Sequence, residues 1–268
     1  MGHKIPKIMA ILNVTPDSFS DGGQNLALES VKRSVDAMIS ANVDIIDVGA
    51  ESTRPGAAAV SCKEEIRRLS DILPYIRKMI KDTGIKISLD SRHFETISTF
   101  VEYLDWINDV EFGRDSRILD LVRDYNKYYC FYFSTSVPVD KTKFLPSNTN
   151  LVEFFNLWIS EQTRKYNKHG IKKEKLIFDP GIGFGLSIEQ SLDVIKVFDQ
   201  IDTLGIKTLI GHSRKTFLSV SGEESAAKRD PETHAVTSFL IQKNIDYIRV
   251  HNFQETQRIL RVLAKICQ

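Results

Sequence analysis

Asp90, Asn108 and Asp179 each close an apolar run that reads as a β-strand. Asp and Asn are poor strand residues, so their place at the tips asks for a reason. Capping the following turn is the plain one. The chemical one is recognition of a small heterocycle: a carboxylate facing paired N–H groups makes bidentate, charge-assisted hydrogen bonds, and an amide adds a donor and an acceptor. Cations come from other runs. Lys215 follows Thr208-Leu209-Ile210, and Arg249 and His251 follow Tyr247-Ile248. Arg249 and His251 are two apart, so in an extended segment both point the same way. A diphosphate leaving group needs several such cations and donors around its oxygens. A solvated helix-start charge is the plain reading of Lys215, and a satisfied core histidine that of His251.

The same arrangement recurs along the chain. Ile8 to Leu12 runs into Asn13, Val43 to Val48 runs into Glu51-Ser52-Thr53-Arg54, and Trp106-Ile107 runs into Asn108-Asp109. In all, seven strand-like runs end in polar residues. One such terminus means little, but seven imply that the strand ends converge on one face, as in a parallel β/α barrel.

Three segments between the runs are distinctive. Asn13-Val-Thr-Pro-Asp-Ser-Phe-Ser-Asp-Gly-Gly23 is too polar and too rich in Gly and Pro to pack, yet it holds Phe19. It reads either as a surface turn or as a loop that closes over a ring, with Asn13 able to offer an oxygen to Mg²⁺ beside a diphosphate. Glu51 to Ser61 is a second long loop and carries Arg54. Asp179-Pro-Gly-Ile-Gly-Phe-Gly185 places glycines at every second position. Glycine permits close backbone approach there, but the spacing matches neither G-x-G-x-x-G nor a Walker loop.

Strand-like runs alternate with helix-periodic stretches. Helices are expected near 26–42, 63–81, 94–101, 116–125, 151–166, 188–198, 231–243 and 255–266, with a fifth strand at 128–133. Eight strand–helix units without a composition break predict an α/β chain with a parallel sheet, and specifically a single-domain (β/α)8 TIM barrel over 1–268. An open doubly wound sheet would instead concentrate its chemistry in one loop after the first strand.

Composition sets the outer bounds. In 268 residues, 42% are hydrophobic and 9% aromatic, enough for a large core. The formal net charge of +1 implies no polyanion partner, so no nucleic acid is expected. Three separated cysteines, Cys62, Cys130 and Cys267, argue against a disulfide framework and a zinc cluster. No apolar run approaches the roughly 18 residues of a membrane span, and no secretory leader is evident. A cytoplasmic protein is expected.

Taken in order, these motifs resemble dihydropteroate synthase. The resemblance rests on Asn13 to Gly23, Glu51-Ser-Thr-Arg-Pro-Gly56, Asp90-Ser91, Ile107-Asn-Asp-Val110, Asp179 to Gly185, Ser213-Arg-Lys215 and Arg249-Val-His251, and spans about 8–251. It implies a (β/α)8 barrel, usually a homodimer, in folate biosynthesis. It also implies condensation of 6-hydroxymethyl-7,8-dihydropterin diphosphate with 4-aminobenzoate, with Mg²⁺, in a family that is a sulfonamide target. Residue by residue, it implies a pterin site at Asp90, Asn108, Asp179 and Lys215. It implies a diphosphate and metal site at Asn13, Arg249 and His251, with Thr53 nearby. Phe19, Arg54, Pro55, Phe184 and Thr216 match positions around the aminobenzoate, and Asp17 and Asp21 match loop positions that organise the closed state.

The chain departs from the family pattern in several places. Phe131-Tyr132-Phe133-Ser134 stands where Met-His-Met is common, Glu111-Phe112-Gly113 replaces a small turn, and Arg92 and Asn252 replace other residues. Two further functions therefore stay open. One is a non-catalytic pterin-binding subunit. The other is a pterin-dependent methyltransferase, against which the Phe19 loop and Ser213-Arg214-Lys215 weigh, because that reaction expels no diphosphate.

Overall fold

A computed structural model describes residues 4–14, 24–50, 60–136, 140 and 142–267, with the side chains of 24–27 outside that set. The strands are β1 (Lys7–Asn13), β2 (Ile45–Gly49), β3 (Lys86–Asp90), β4 (Trp106–Asp109), β5 (Tyr128–Tyr132), β6 (Leu176–Asp179), β7 (Lys207–Ile210) and β8 (Tyr247–Val250). They pair in sequence order, all parallel, and β1 closes on β8. The helices between and after them are α1 (Gln24–Ala41), α2 (Cys62–Leu69), α3 (Ile72–Met79), α4 (Phe94–Phe100), α5 (Ser116–Asp124), α6 (Leu151–Lys168), α7 (Ile188–Val197), α8 (Asp230–Leu240) and α9 (Phe253–Ile266). The chain is a closed (β/α)8 barrel.

Strand alternation divides the core in two. Ile8, Ala10, Leu12, Ile46, Val48, Ile87, Leu89, Ile107, Phe131 and Phe178 point outward to the helices and join one large cluster. Met9, Ile45, Trp106, Cys130, Ile177, Leu209 and Tyr247 point inward and form a separate plug in the barrel. One inward position further along, six of the eight strands turn polar, at Asp47, Asp90, Asn108, Tyr132, Asp179 and Arg249. The period of two thus stacks a polar layer on an apolar floor.

Aspartates at the opposite end serve stability. Asp44 Oδ2 accepts Ile8 N–H at 2.9 Å, Asp105 Oδ2 accepts Ile87 N–H at 2.9 Å, and Asp246 Oδ2 accepts Thr208 N–H at 2.9 Å. Each satisfies a strand-start donor that would otherwise lack a partner at the barrel bottom.

The helix expected across 63–81 is two helices, α2 and α3, with the break at Ser70 and Asp71. Pro74 explains it. Its nitrogen cannot donate to Ser70 O, and its ring crowds that carbonyl. Helix starts are marked by caps: Ser61 and Ser187 accept the N–H groups of Glu64 and Gln190, and Ser187 forms a full capping box. The cysteines are unpaired by disulfides. Among the described residues no helix is long and apolar enough to cross a membrane.

Candidate active site

The C-terminal ends of the strands bring the expected residues together. Asp90, Asn108, Tyr132, Asp179, Gly181, Phe184, Gly211, Lys215 and Arg249 line one cavity. Its open space is only about 20 Å³, roughly the room for a water molecule.

Asp179 is buried at the tip of β6. Its Oδ1 accepts Gly181 N–H at 2.8 Å, and its Oδ2 accepts Gly211 N–H at 3.2 Å. A carboxylate has about four acceptor sites, so both oxygens retain capacity toward a ligand. Burial pushes its pKa up, against the pull of Lys215 and the backbone donors. The loop after it is tight. Gly181 sits at φ +69°, and a Cβ there would lie 1.8 Å from Phe133 O. Only glycine lets this backbone pass.

Lys215 faces Asp179 from the loop after β7. Its Nζ donates to Ile182 O and lies 4.3 Å from the Phe184 ring centroid. Burial lowers its pKa to about 8, although Asp179 favours the charge. Arg249 reaches across the barrel. Its Nε donates to Asp47 Oδ2 at 2.6 Å and its Nη2 to Asp90 Oδ2 at 2.7 Å. Burial opposes its charge, but the two carboxylates outweigh that and hold its pKa above the ordinary arginine value.

His251 follows β8 on the same side as Arg249. Ser213 Oγ accepts its backbone N–H at 3.2 Å and lies 2.9 Å from Nδ1. The hydroxyl keeps a second lone pair, so it donates to Nδ1 in one ring tautomer and accepts from it in the other. His251 and Asn13 border a second cavity of about 400 Å³, with Ser34, Met38 and Phe253 on its walls.

The family match spans residues 9–251 and is described as pterin binding enzyme. The chain is 33% identical to a dihydropteroate synthase of Streptococcus pyogenes, covering 97% of this chain and 95% of that one. Its fold matches the dihydropteroate synthase of Anaplasma phagocytophilum, crystallised with 6-hydroxymethylpterin-monophosphate, at a TM-score of 0.87 with 28% identity, covering 98% of this chain and 100% of the other. It matches the Yersinia pestis enzyme in a sulfonamide drug complex at 0.84 with 28% identity, over 97% and 94% of the two chains. The chain belongs to the dihydropteroate synthase family.

Several residues take structural places that their sequence positions left open. Asp109, next to Asn108, points out of the barrel. It accepts the N–H groups of Glu111 and Gly113 and the Tyr129 hydroxyl, each at 2.8 Å, which is the turn-capping alternative. Within Ser213-Arg214-Lys215, Arg214 pairs with Asp230 at 2.7 and 2.8 Å. His212 is buried against Thr233 and Thr237, its pKa lowered to about 4 by burial, so it is neutral packing. Asn108 Oδ1 is buried and without a partner among the described residues, which leaves it for a ligand. Thr216 is exposed at the start of the 3-10 turn Thr216–Ser221.

Three departures from the dihydropteroate synthase pattern have local explanations. Arg92 Nη1 pairs with Glu111 Oε1 at 3.4 Å, so two of the unusual residues are partners. Asn252 caps α9 by accepting Glu255 N–H and also donates to Asp230. Tyr132 lines the cavity with its ring 4.9 Å from that of Phe184. Asp17, Phe19, Asp21, Thr53, Arg54 and Pro55 lie outside the described residues.

Asp47 was missed as a site residue. It is fully buried on β2, and Arg249 is its partner. The available signal was a carboxylate set two residues from Ile45 in an otherwise apolar strand.

Proposed function

We infer that this chain catalyses the dihydropteroate synthase reaction of folate biosynthesis, joining 6-hydroxymethyl-7,8-dihydropterin diphosphate to 4-aminobenzoate and releasing diphosphate. The observation that carries this reading is the buried Asp179 carboxylate facing Lys215 in the cavity that Asn108 and Arg249 also line.

The carboxylate of Asp179 accepts the pterin's paired N–H groups, Asn108 and Asp90 bond the ring edge, and Lys215 donates to it. Three of the five N–H donors of Arg249 lie outside its bonds to Asp47 and Asp90. With the His251 imidazole, they draw the diphosphate. The bond from the pterin methylene carbon to the ester oxygen breaks, and both electrons leave with the diphosphate. The ring stabilises the carbocation. The arylamine lone pair then forms the C–N bond and the nitrogen loses a proton. Stabilising the leaving group is the dominant contribution, and no covalent enzyme intermediate is needed.

Among the described residues no cluster of His, Cys, Asp or Glu suits a resident metal. The exposed amide of Asn13, sharing a cavity with His251, fits Mg²⁺ held mostly by diphosphate oxygens and water. When bound, that ion supplies neutralising charge to the leaving group. The resemblance assigns Phe184 and Thr216, with Phe19, Arg54 and Pro55, to the aminobenzoate, for whose site sulfonamides compete. It assigns Asp17 and Asp21 to catalysis and Thr53 to the diphosphate.

The protein works in the cytoplasm as a homodimer.

Incubating the purified chain with the pterin diphosphate, Mg²⁺ and 4-aminobenzoate tests the reading. Stoichiometric diphosphate and dihydropteroate are expected. Tight pterin binding without product would instead favour a non-catalytic subunit, and methyl transfer from methyltetrahydrofolate would favour the methyltransferase.

A further inference from the structure

Arg249 is held by two carboxylates that are not equivalent. Asp90 lies at the end of β3 and lines the cavity. Asp47 lies in the middle of β2, has no exposed surface and does not line the cavity. Asp47 Oδ2 accepts the Arg249 Nε–H hydrogen bond at 2.6 Å. Asp47 Oδ1 receives no hydrogen bond among the described residues. Its carboxylate therefore depends on the guanidinium as its polar partner there.

The guanidinium is a rigid planar fork, so fixing Nε fixes the direction of every other N–H on it. β8 and β2 each neighbour β1, and Met9 of β1 registers with both Ile45 and Arg249. The Asp47–Arg249 bond thus bridges two strands that are not neighbours, above the apolar floor of the barrel and out of the cavity lining. A guanidinium held only by Asp90 could pivot about that one contact at the rim.

We propose that Asp47 is a positioning residue for diphosphate recognition, its buried oxygen anchoring Nε so that the outer N–H groups of Arg249 aim at the leaving-group oxygens. The proposal rests on the reading of Arg249 as a diphosphate contact. Asp47 touches neither substrate nor reacting atoms.

The test compares binding of 6-hydroxymethylpterin with binding of its diphosphate, by titration calorimetry on the full chain. The ratio of the two dissociation constants is the diphosphate preference. Asp47→Asn keeps an acceptor for Nε, and its amide nitrogen can take the place of Oδ1, which faces no donor. Asp47→Ala removes the acceptor. Both delete the same charge, so their difference isolates the anchoring bond. Asp47→Ala is expected to cut the preference about tenfold or more, the size of one lost hydrogen bond to a charged group. Asp47→Asn is expected to restore most of it. Equal behaviour of Ala and Asn, or equal loss of both ligands in Asp47→Ala, overturns the proposal in favour of a field effect or plain packing.

If Asp47→Ala folds poorly, Arg249→Gln is compared with the Asp47→Ala/Arg249→Gln double variant. Equal preference in the two is expected, because Asp47 acts through Arg249. A further loss in the double variant contradicts the proposal. Arg249→Gln also separates the two levels of the argument. If it leaves the preference intact, the diphosphate role of Arg249 fails. If it abolishes the preference while Asp47→Ala keeps it, only the role of Asp47 fails.

Discussion

Arg249 Nη2 donates to Asp90 Oδ2 at 2.7 Å, although β8 and β3 are not neighbours in the sheet. The bond spans the barrel mouth and joins the cationic half of the site to the acidic half. Residues 159 apart in the chain are thereby placed around one small space.

Replacing the Asp179 carboxylate tests the recognition half. Asp179→Asn keeps the shape and an acceptor but loses the charge and one acceptor oxygen. Two hydrogen bonds to a charged group are weakened, at about 1.5 kcal/mol or more each. Pterin affinity should fall at least about 100-fold. Stability should also fall, by about 1–3 kcal/mol, because one of the two backbone N–H groups on the carboxylate would face the amide nitrogen instead of an acceptor. Calorimetric titration with a pterin, beside a thermal melt, checks both. Unchanged pterin affinity would refute the assignment.

Lys215 gives the site a pH dependence. Burial places its pKa near 8, below the usual lysine value. Below that pH the ammonium is charged and donates three N–H bonds. As pH rises through about 8 the charge is lost, and affinity for the pterin diphosphate should decline. Lys215→Ala should bind weakly and show no decline over the same interval. Dissociation constants measured between about pH 7 and pH 9 decide it. A wild-type profile that stays flat across that interval would contradict the placement of Lys215.

Tyr129 offers a control outside the site. Its hydroxyl donates to buried Asp109 on the helix side of the barrel wall. Tyr129→Phe removes one of the three donors to that carboxylate. Stability should fall by about 1–3 kcal/mol. Pterin affinity should be unchanged, since Asp109 faces away from the cavity. Denaturant unfolding and ligand titration check the pair of expectations, and a large affinity loss would mean that the turn after β4 shapes the pocket.

The legible part of this fold was its punctuation. Polar residues at strand tips announced the functional face, because turn capping accounts for one such residue, as at Asp109, but not for so many together. The direction of each side chain was harder to read. Asn108 and Asp109 are adjacent and alike, and only strand register sends one into the cavity and the other into a turn. Asp47 was hidden for the same reason. Asp44 and Asp47 sit in one run, and the first proves to cap Ile8 while the second holds Arg249. The break at Ser70 and Asp71 was masked by apolar periodicity that continues through Pro74. Arg92 and Glu111 looked like two separate departures until their contact showed them as one pair.

A crystal structure with a non-hydrolysable pterin diphosphate analogue and 4-aminobenzoate tests the central claim most directly. The account predicts the pterin's N–H edge on the Asp179 carboxylate, and the diphosphate oxygens against Arg249 and His251 in the same mouth. A pterin bound at the Asp44, Asp105 and Asp246 end, or one in the mouth with its N–H edge turned from Asp179, would contradict it.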